Sequence, residues 1–354
     1  EQAPAIREVW AGIQISANGG AVLLGLGLWE AVHDRSMASQ GVVLRDHAQG
    51  RMVTKLDFTG RGDFALLHRA DLIDVLANGA RDAGVDMQLG QQVDEIVMDG
   101  HSAMVRLEGA APADMGWVIG ADGLHSVVRS ALLGRNAPFF TGQVAWRALV
   151  PATAPVDPFA QVFMGPGRHL VAYPLRDGTL VNLVAVEERA AWAEEGWTHR
   201  DDPANLRRAF EQFGGPVPHW LESVETCHVW GLFRHPVADR WFGSGAALLG
   251  DAAHPTLPFL AQGACMALED AWVLAEALCA TDSWSTGCSA YQQRRVARVR
   301  RIVAAANGNA RKYHLRNPIA RGIAHAGLGV VGGLAPGFLA DRFRWLYDHD
   351  VTAE

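Results

Sequence analysis

The chain has 354 residues, of which 49% are hydrophobic and 19% charged, enough apolar material for a large core and too little charge for a disordered segment. Its formal net charge of -7 argues against nucleic acid or an anionic membrane as the main partner. Cys227, Cys265, Cys279 and Cys288 form no CxxC pair, so they fit a reducing cytoplasm and offer no metal site.

In chain order, Glu1-Gln2-Ala3-Pro4 reads as the end of a strand, and no targeting segment is visible. Asn18-Gly19-Gly20, Gly25 and Gly27 have no apolar strand leading into them, so they read as helix and loop glycines rather than a phosphate-binding turn. Residues 42–46 and 64–68 read as strands, and 71–83 as a helix closed by Gly84. Short strands follow at 85–89, 93–98 and 103–107, the last two joined by the hairpin pair Asp99-Gly100. Ile119-Gly120 leads into the tight turn Asp122-Gly123 and then a helix. From about 141 to 235 the pattern changes to strands and proline-rich turns, with strands at 143–150, 169–175 and 179–186.

The run 246–249 is a short apolar strand, as expected of a parallel strand covered by helices. It is followed by the turn Gly250-Asp251-Ala252-Ala253-His254-Pro255 and by a helix opening at Gln262-Gly263, with Leu268, Ala271, Ala275 and Leu278 as its apolar stripe. Arg294, Arg295, Arg298, Arg300 and Arg301 fall on several faces of a later helix and read as a solvated surface. The glycine-rich apolar tail 322–340 is interrupted by His325 and Pro336, so it reads as a terminal helix rather than a membrane span, with peripheral membrane contact left open.

Chemistry concentrates at two places. Asp251 stands at the carboxyl end of its strand, the edge where nucleotides dock in open α/β sheets. The helix start at Gly263 beside it favours negative charge. On strand 169–175, His169 and Tyr173 are four apart and project from one face, with Val171 between them. An imidazole, with an ordinary pKa of about 6.5, can share a phenolic proton at neutral pH; a structural histidine is the alternative. Gln262 is either a group facing the substrate or a helix cap. Pro255 and Pro258 fix an irregular backbone around His254, so that segment reads as loop shaping. His219, His228 and His235 are pocket candidates, no HExxH spacing exists, and Trp146, Trp230 and Trp241 read as core.

Three strings resemble one family. The run 250–258 with Gln262-Gly263-Ala264 and Leu268-Glu269-Asp270-Ala271, the run 119–129, and Leu67-His68-Arg69-Ala70-Asp71-Leu72 are similar to the motifs of single-component FAD-dependent aromatic hydroxylases of the salicylate and 3-hydroxybenzoate type. The resemblance implies an α/β fold: a Rossmann-like FAD-binding domain, N-terminally truncated, with an inserted β-sheet substrate domain and C-terminal helices. The expected division is 1–140 and 236–280 for FAD, with short substrate-domain strands near 42–68, then 141–235 for substrate and 281–354 for the helical region. The family's Gly-x-Gly-x-x-Gly turn does not precede Glu1, so a βαβ start of about 30 residues is expected to be missing, whereas 345–350 resembles a natural family terminus.

By the same resemblance, Glu1, Arg69, Asp122, Gly123, Asp251, Pro258, Gly263 and Ala264 contact FAD, while His169, Tyr173 and Gln262 serve catalysis. NADH or NADPH reduces the flavin, O2 is the oxidant, and an oxygen atom is placed on an activated aromatic carbon. Partners are then a small aromatic substrate and O2, without nucleic acid or stable membrane insertion, in the cytoplasm, with a homodimer left open. Trp10 and Ala17 depart from the family pattern, where glycine and proline are common. Two other readings stand beside the hydroxylase: a degenerate flavoprotein without catalysis, and a hydroxylase of a lipid-soluble quinone precursor.

Overall fold

The computed structural model describes the chain apart from residues 7–10, 99–101, 191–198, 244 and 354, so Trp10 and the Asp99-Gly100 turn lie outside the described residues. Its largest unit is an eight-stranded sheet in the order Arg200–Asp201, Cys227–Arg234, Phe139–Pro151, Leu180–Glu188, Arg168–Leu175, Ala160–Gly165, Gly41–Asp46 and Met52–Asp57. Neighbours are antiparallel except Ala160–Gly165 and Gly41–Asp46, which run parallel and bring the early segment onto the later sheet.

Side chains alternate across this sheet with the two-residue period of extended backbone. One face buries Val144, Trp146, Phe163, Leu170 and Leu183 against Phe210, Phe213 and Trp220. The opposite face carries Arg147, His169, Val171, Tyr173 and Trp230 to a cavity. Register sets His169 opposite Val186, Val171 opposite Val184, and Tyr173 opposite Asn182. Arg147 sits one strand further over, on the Phe139–Pro151 strand.

The nucleotide end is built on the parallel pair Ala246–Leu248 and Val118–Gly120. The helices Val127–Leu133, Gly263–Cys279 and Trp284–Tyr313 cover it around a core of Trp241, Leu248, Met266, Val273, Tyr291 and Ile302. A small antiparallel sheet of Gly12–Ile15, Ala65–His68 and Met37–Ala38 closes the space between the two units. Gly19 and Gly20 lie in the helix Ala17–Gly25, as expected. A Cβ at Gly19 would meet Cys265 Sγ at 2.7 Å, so the glycine lets this helix touch Gly263–Cys279.

Some expectations fail for physical reasons. Residues 85–89 are not a strand; they lie near the surface, and the backbone there makes scattered bonds with no ladder, Val85 N to Ala80 O, Glu1 N to Gln88 O, Gly90 N to Ala3 O and Gln91 N to Glu1 O. The arginine helix is not simply a solvated surface: it belongs to the long helix Trp284–Tyr313, and Arg295 is buried between Glu269 and Asp270. The apolar tail does form the expected terminal helix, Pro318–Leu334, which ends ahead of Pro336 and buries none of its residues. Among the described residues, no helix is long and apolar enough to cross a membrane.

Candidate active site

The site begins where strand Ala246–Leu248 ends. Gly250 takes φ 58°, a left-handed turn that glycine adopts without a Cβ penalty, and its N–H donates to Asp270 Oδ2 at 3.0 Å. The chain then presents Asp251 into a cavity of about 240 Å³ between the nucleotide end and the sheet. Pro255, Thr256 and Pro258 form one wall with Gly263 and Ala264; Arg69, Gly12 and Gln14 form a second; His169, Val171, Tyr173, Arg147 and Trp230 roof it. Asp251 is exposed, but to this cavity: protein surrounds it closely, so burial raises its carboxyl above the usual carboxylate range against the pull of His254 and Arg69.

Arg69 opens the helix Arg69–Asp82. Burial lowers its pKa, and Tyr173 and Asp251 act the other way. Its Nε, like Thr256 Oγ1, has no hydrogen-bond partner among the described residues, although both residues line the cavity. Buried donors of this kind are costly to leave unpaired. The helix Gly263–Cys279 also starts at the cavity without a side-chain cap from Gln262, leaving first-turn N–H groups suited to an anionic or carbonyl acceptor. An unpaired guanidinium nitrogen and an uncapped helix start fit the phosphates and carbonyl edge of a flavin dinucleotide, and the carboxylate fits a hydroxyl donor of its sugar chain.

The sheet side has a different character. Tyr173 is buried and its hydroxyl is pushed up to about 12, by desolvation first and against the nearby Arg147 and Arg69. It therefore stays protonated at neutral pH and has a proton to donate. Gly12 makes room for it: a Cβ there would stand 2.7 Å from the Tyr173 hydroxyl, and Gly12 N donates to Asn182 Oδ1 at 2.8 Å. Arg147 lies over the Trp230 ring at 4.8 Å, and burial, then the charge of Arg69, depresses it to about 10, so it remains a cation. His169 is buried, with Nδ1 2.6 Å from Nε2 of His314, and desolvation followed by His314 holds its pKa well below the ordinary value.

Five of the eight expected FAD residues are thus close to one cavity: Arg69, Asp251, Pro258, Gly263 and Ala264. Asp122 and Gly123 do not line it. Asp122 accepts from Ser126 Oγ at 2.5 Å and Val127 N at 2.8 Å, capping the helix Val127–Leu133, while the turn delivers Leu124 and His125 to the cavity. Glu1 accepts from Ala3 N at 2.8 Å on the surface. Among the expected catalytic residues, Gln262 is separated from His169 and Tyr173: its amide accepts from Asn18 at 3.0 Å and donates to Ser16 at 2.8 Å, a buried bridge to the helix Ala17–Gly25. His219, His228 and His235 do not line the cavity.

Sequence reasoning missed His314, Arg147, Gln14 and Gly12. Neither the contact that brings His314 to His169 across 145 positions nor the strand pairing that brings 147 beside 173 has a local signal. An open polar depression of about 630 Å³ lies elsewhere, bordered by Arg168, Glu187, Arg189 and Asp201; it contains none of the expected site residues. Among the described residues, no group of three or more His, Cys, Asp or Glu is placed to hold a metal.

A parallel strand pair that ends at a cavity roofed by a large sheet is where ligands sit in open α/β folds, and it fits a dinucleotide-binding oxidoreductase. The chain belongs to the FAD binding domain family, which residues 21–306 match. It is similar to 3-amino-4-hydroxybenzoate 2-monooxygenase of Streptomyces cremeus, 33% identical over 89% of this chain and 81% of the relative. It is also similar to 3-hydroxybenzoate 6-hydroxylase of Polaromonas naphthalenivorans, 32% identical over 99% of this chain and 89% of the relative. A salicylate hydroxylase substrate complex shares the fold, with a TM-score of 0.81 and 23% identity over 97% of this chain and 89% of the other. Klebsiella pneumoniae HpxO complexed with FAD and uric acid superposes with a TM-score of 0.79 and 25% identity over 95% and 89%. The protein is an FAD-dependent monooxygenase, and its FAD-binding fold carries helices at the C-terminus.

Proposed function

We propose that this enzyme hydroxylates a small phenolic carboxylic acid of the salicylate or 3-hydroxybenzoate type, using NADH or NADPH and O2. The observation that carries the reading is His169: its Nδ1 is engaged by His314, which leaves Nε2 as the nitrogen for a ligand in the cavity it lines. Arg69, Asp251, Pro258, Gly263 and Ala264 would hold FAD, which when bound supplies the reduction of O2 and the transfer of one oxygen atom.

The protein's own residues then divide the remaining work. His169 takes the phenolic proton, making the ring electron-rich. Tyr173 donates a hydrogen bond to the bound acid, and Arg147 faces its carboxylate, where a charge-assisted bond is strongest. Val171, Val184, Val186 and Phe259 line the cavity with hydrocarbon, which excludes water from the reacting ring. Gln262 acts at a distance, holding the helix Ala17–Gly25 against the helix start at Gly263, and the Asp122-Gly123 turn shapes the wall at His125. The four cysteines are all free, which supports a cytoplasmic setting.

The relatives named 3-hydroxybenzoate 6-hydroxylase and salicylate hydroxylase support the substrate class. The test is NAD(P)H oxidation by the FAD-loaded protein with and without salicylate or 3-hydroxybenzoate, with chromatography of the products. Oxidation stimulated by the phenol and matched by a hydroxylated product is expected; stimulation by neither acid would overturn this substrate class.

A further inference from the structure

We propose that His314 and Glu188 extend His169 into a proton relay that carries the substrate's phenolic proton from the closed cavity to solvent, a step that rests on the function proposed above. The contacts form an unbroken line. His169 Nδ1 lies 2.6 Å from His314 Nε2, and His314 Nδ1 lies 2.9 Å from Glu188 Oε1. The other oxygen of Glu188 accepts from Arg316 Nη2 at 2.7 Å. Exposure rises along the line: His169 and His314 are buried, whereas the Glu188 side chain is 32% exposed and Arg316 69%.

The end of the chain fixes its direction. A carboxylate only accepts, so Glu188 makes His314 carry its proton on Nδ1. Neutral His314 then has an acceptor at Nε2, which makes His169 carry its own proton on Nδ1. That leaves the lone pair of His169 on Nε2, the nitrogen offered to the cavity. A surface carboxylate thereby prepares a buried imidazole as a base, without a carboxylate inside the cavity that would repel an anionic substrate.

Both imidazoles rest neutral. Burial first and then His314 lower His169, and burial lowers His314 despite the opposing pull of Glu188. The groups facing them are Tyr313 and Phe259 on His169, and Glu188, Arg316 and Arg168 on His314. Burial alone would raise Glu188, but bonds from Arg316 and His314 outweigh it and hold it ionised. Gly167 permits this arrangement: its φ is 69°, and a Cβ would meet the Arg316 guanidinium at 2.9 Å.

Transfer is balanced at each step. His169 Nε2 takes the phenolic proton as its Nδ1 proton passes to His314 Nε2; the His314 Nδ1 proton passes to Glu188, which yields it to bulk water. The net change is one proton moved from phenol to solvent, with both imidazoles left in the opposite tautomer. Proton return through the same line, or ring rotation, resets them.

Two measurements test this on the FAD-loaded protein. With 3-hydroxybenzoate as probe, stopped-flow release of the phenolic proton to a pH indicator should slow by about 100-fold in H314Q and by a smaller factor in E188Q, with substrate affinity retained in both. E188D should recover most of the E188Q loss, which a merely structural role for Glu188 would not require. Wild-type release rates in both H314Q and E188Q would overturn the relay alone if H169A is slow; if H169A also kept the wild-type rate, the role of His169 as base would fall with it. The second measurement needs no substrate. Nitrogen NMR of histidine-labelled protein should show His169 and His314 protonated on Nδ1, with His169 shifting towards the Nε2-protonated form in H314F. Nε2 protonation of both rings in the wild type would overturn the proposal, including where neither phenolic acid binds.

Discussion

The Nε2 of His254 lies 2.5 Å from Oδ2 of Asp270, with the two side chains 1% and 0% exposed. Asp270 also accepts from Gly250 N at 3.0 Å and from Arg295 Nε at 2.8 Å. One carboxylate thus ties the turn after strand Ala246–Leu248, the loop beneath the cavity, and the helices Gly263–Cys279 and Trp284–Tyr313. His254 sits within the most recognisable motif of the chain, yet this bond commits it to structure. Burial would raise Asp270, but His254 and Arg295 outweigh that effect and hold it at about 2.

Removing this charge takes the carboxylate partner from His254, Arg295 and the Gly250 N–H in the interior. Asp270→Asn should cost about 3–5 kcal/mol of stability, the usual penalty for breaking a buried ion pair from one side. Urea unfolding measures it, and a loss below about 1 kcal/mol would mean that the pair adds little. The sign of the pH dependence follows. Because the folded carboxyl sits below its unfolded value of about 3.9, its contribution is complete above that pH and disappears as pH falls towards 2. Wild type should lose this increment on acidification, and Asp270→Asn should not.

Arg69 offers a cation at the cavity wall whose Nε has no partner among the described residues. Arg69→Met should weaken FAD binding by about 10- to 100-fold, equivalent to one charge-assisted hydrogen bond, while the fold survives. Flavin retention after desalting and a fluorescence titration report it. Unaltered affinity would place the cofactor elsewhere.

Arg147 is expected to act on substrate rather than cofactor. Arg147→Met should raise KM for a phenolic carboxylic acid by about 10- to 100-fold, with much less effect on a phenol lacking the carboxylate. Steady-state kinetics with the paired substrates separate the two. An equal loss for both would assign Arg147 to packing against Trp230 instead.

The buried imidazoles leave their own mark on stability. His169 and His314 both have folded pKa values below the ordinary 6.5, so the unfolded chain takes up protons first as pH falls. Stability from these groups is therefore complete above about 6.5 and declines below it. Thermal unfolding from pH 7.5 to 5 should show a shallower decline in His314→Gln than in wild type. Parallel curves would show that His314 titrates equally in both states.

Much of the site was legible because it is local. The turn at Asp251, the helix start at Gly263 and Arg69 each declare themselves in a short string, and their convergence on one cavity follows from the nucleotide fold. His169 and Tyr173 share a strand face by simple alternation. What escaped depends on contacts between distant segments. His169 meets His314 across 145 positions, Gly12 matters only because Tyr173 lies against it, and Arg295 is buried because Glu269 and Asp270 of another helix enclose it. Gln262 shows the converse: proximity in sequence to the helix start is real, but its amide turns inward to Ser16 and Asn18.

The central claim is that His169 is the base that activates a phenolic acid, and the most direct measurement compares hydroxylated product formed per NAD(P)H oxidised by wild type and His169→Ala, both loaded with FAD. The account predicts that the variant keeps its flavin and still binds substrate, while product formation falls by about 100-fold or more. Product formation at the wild-type rate would contradict it.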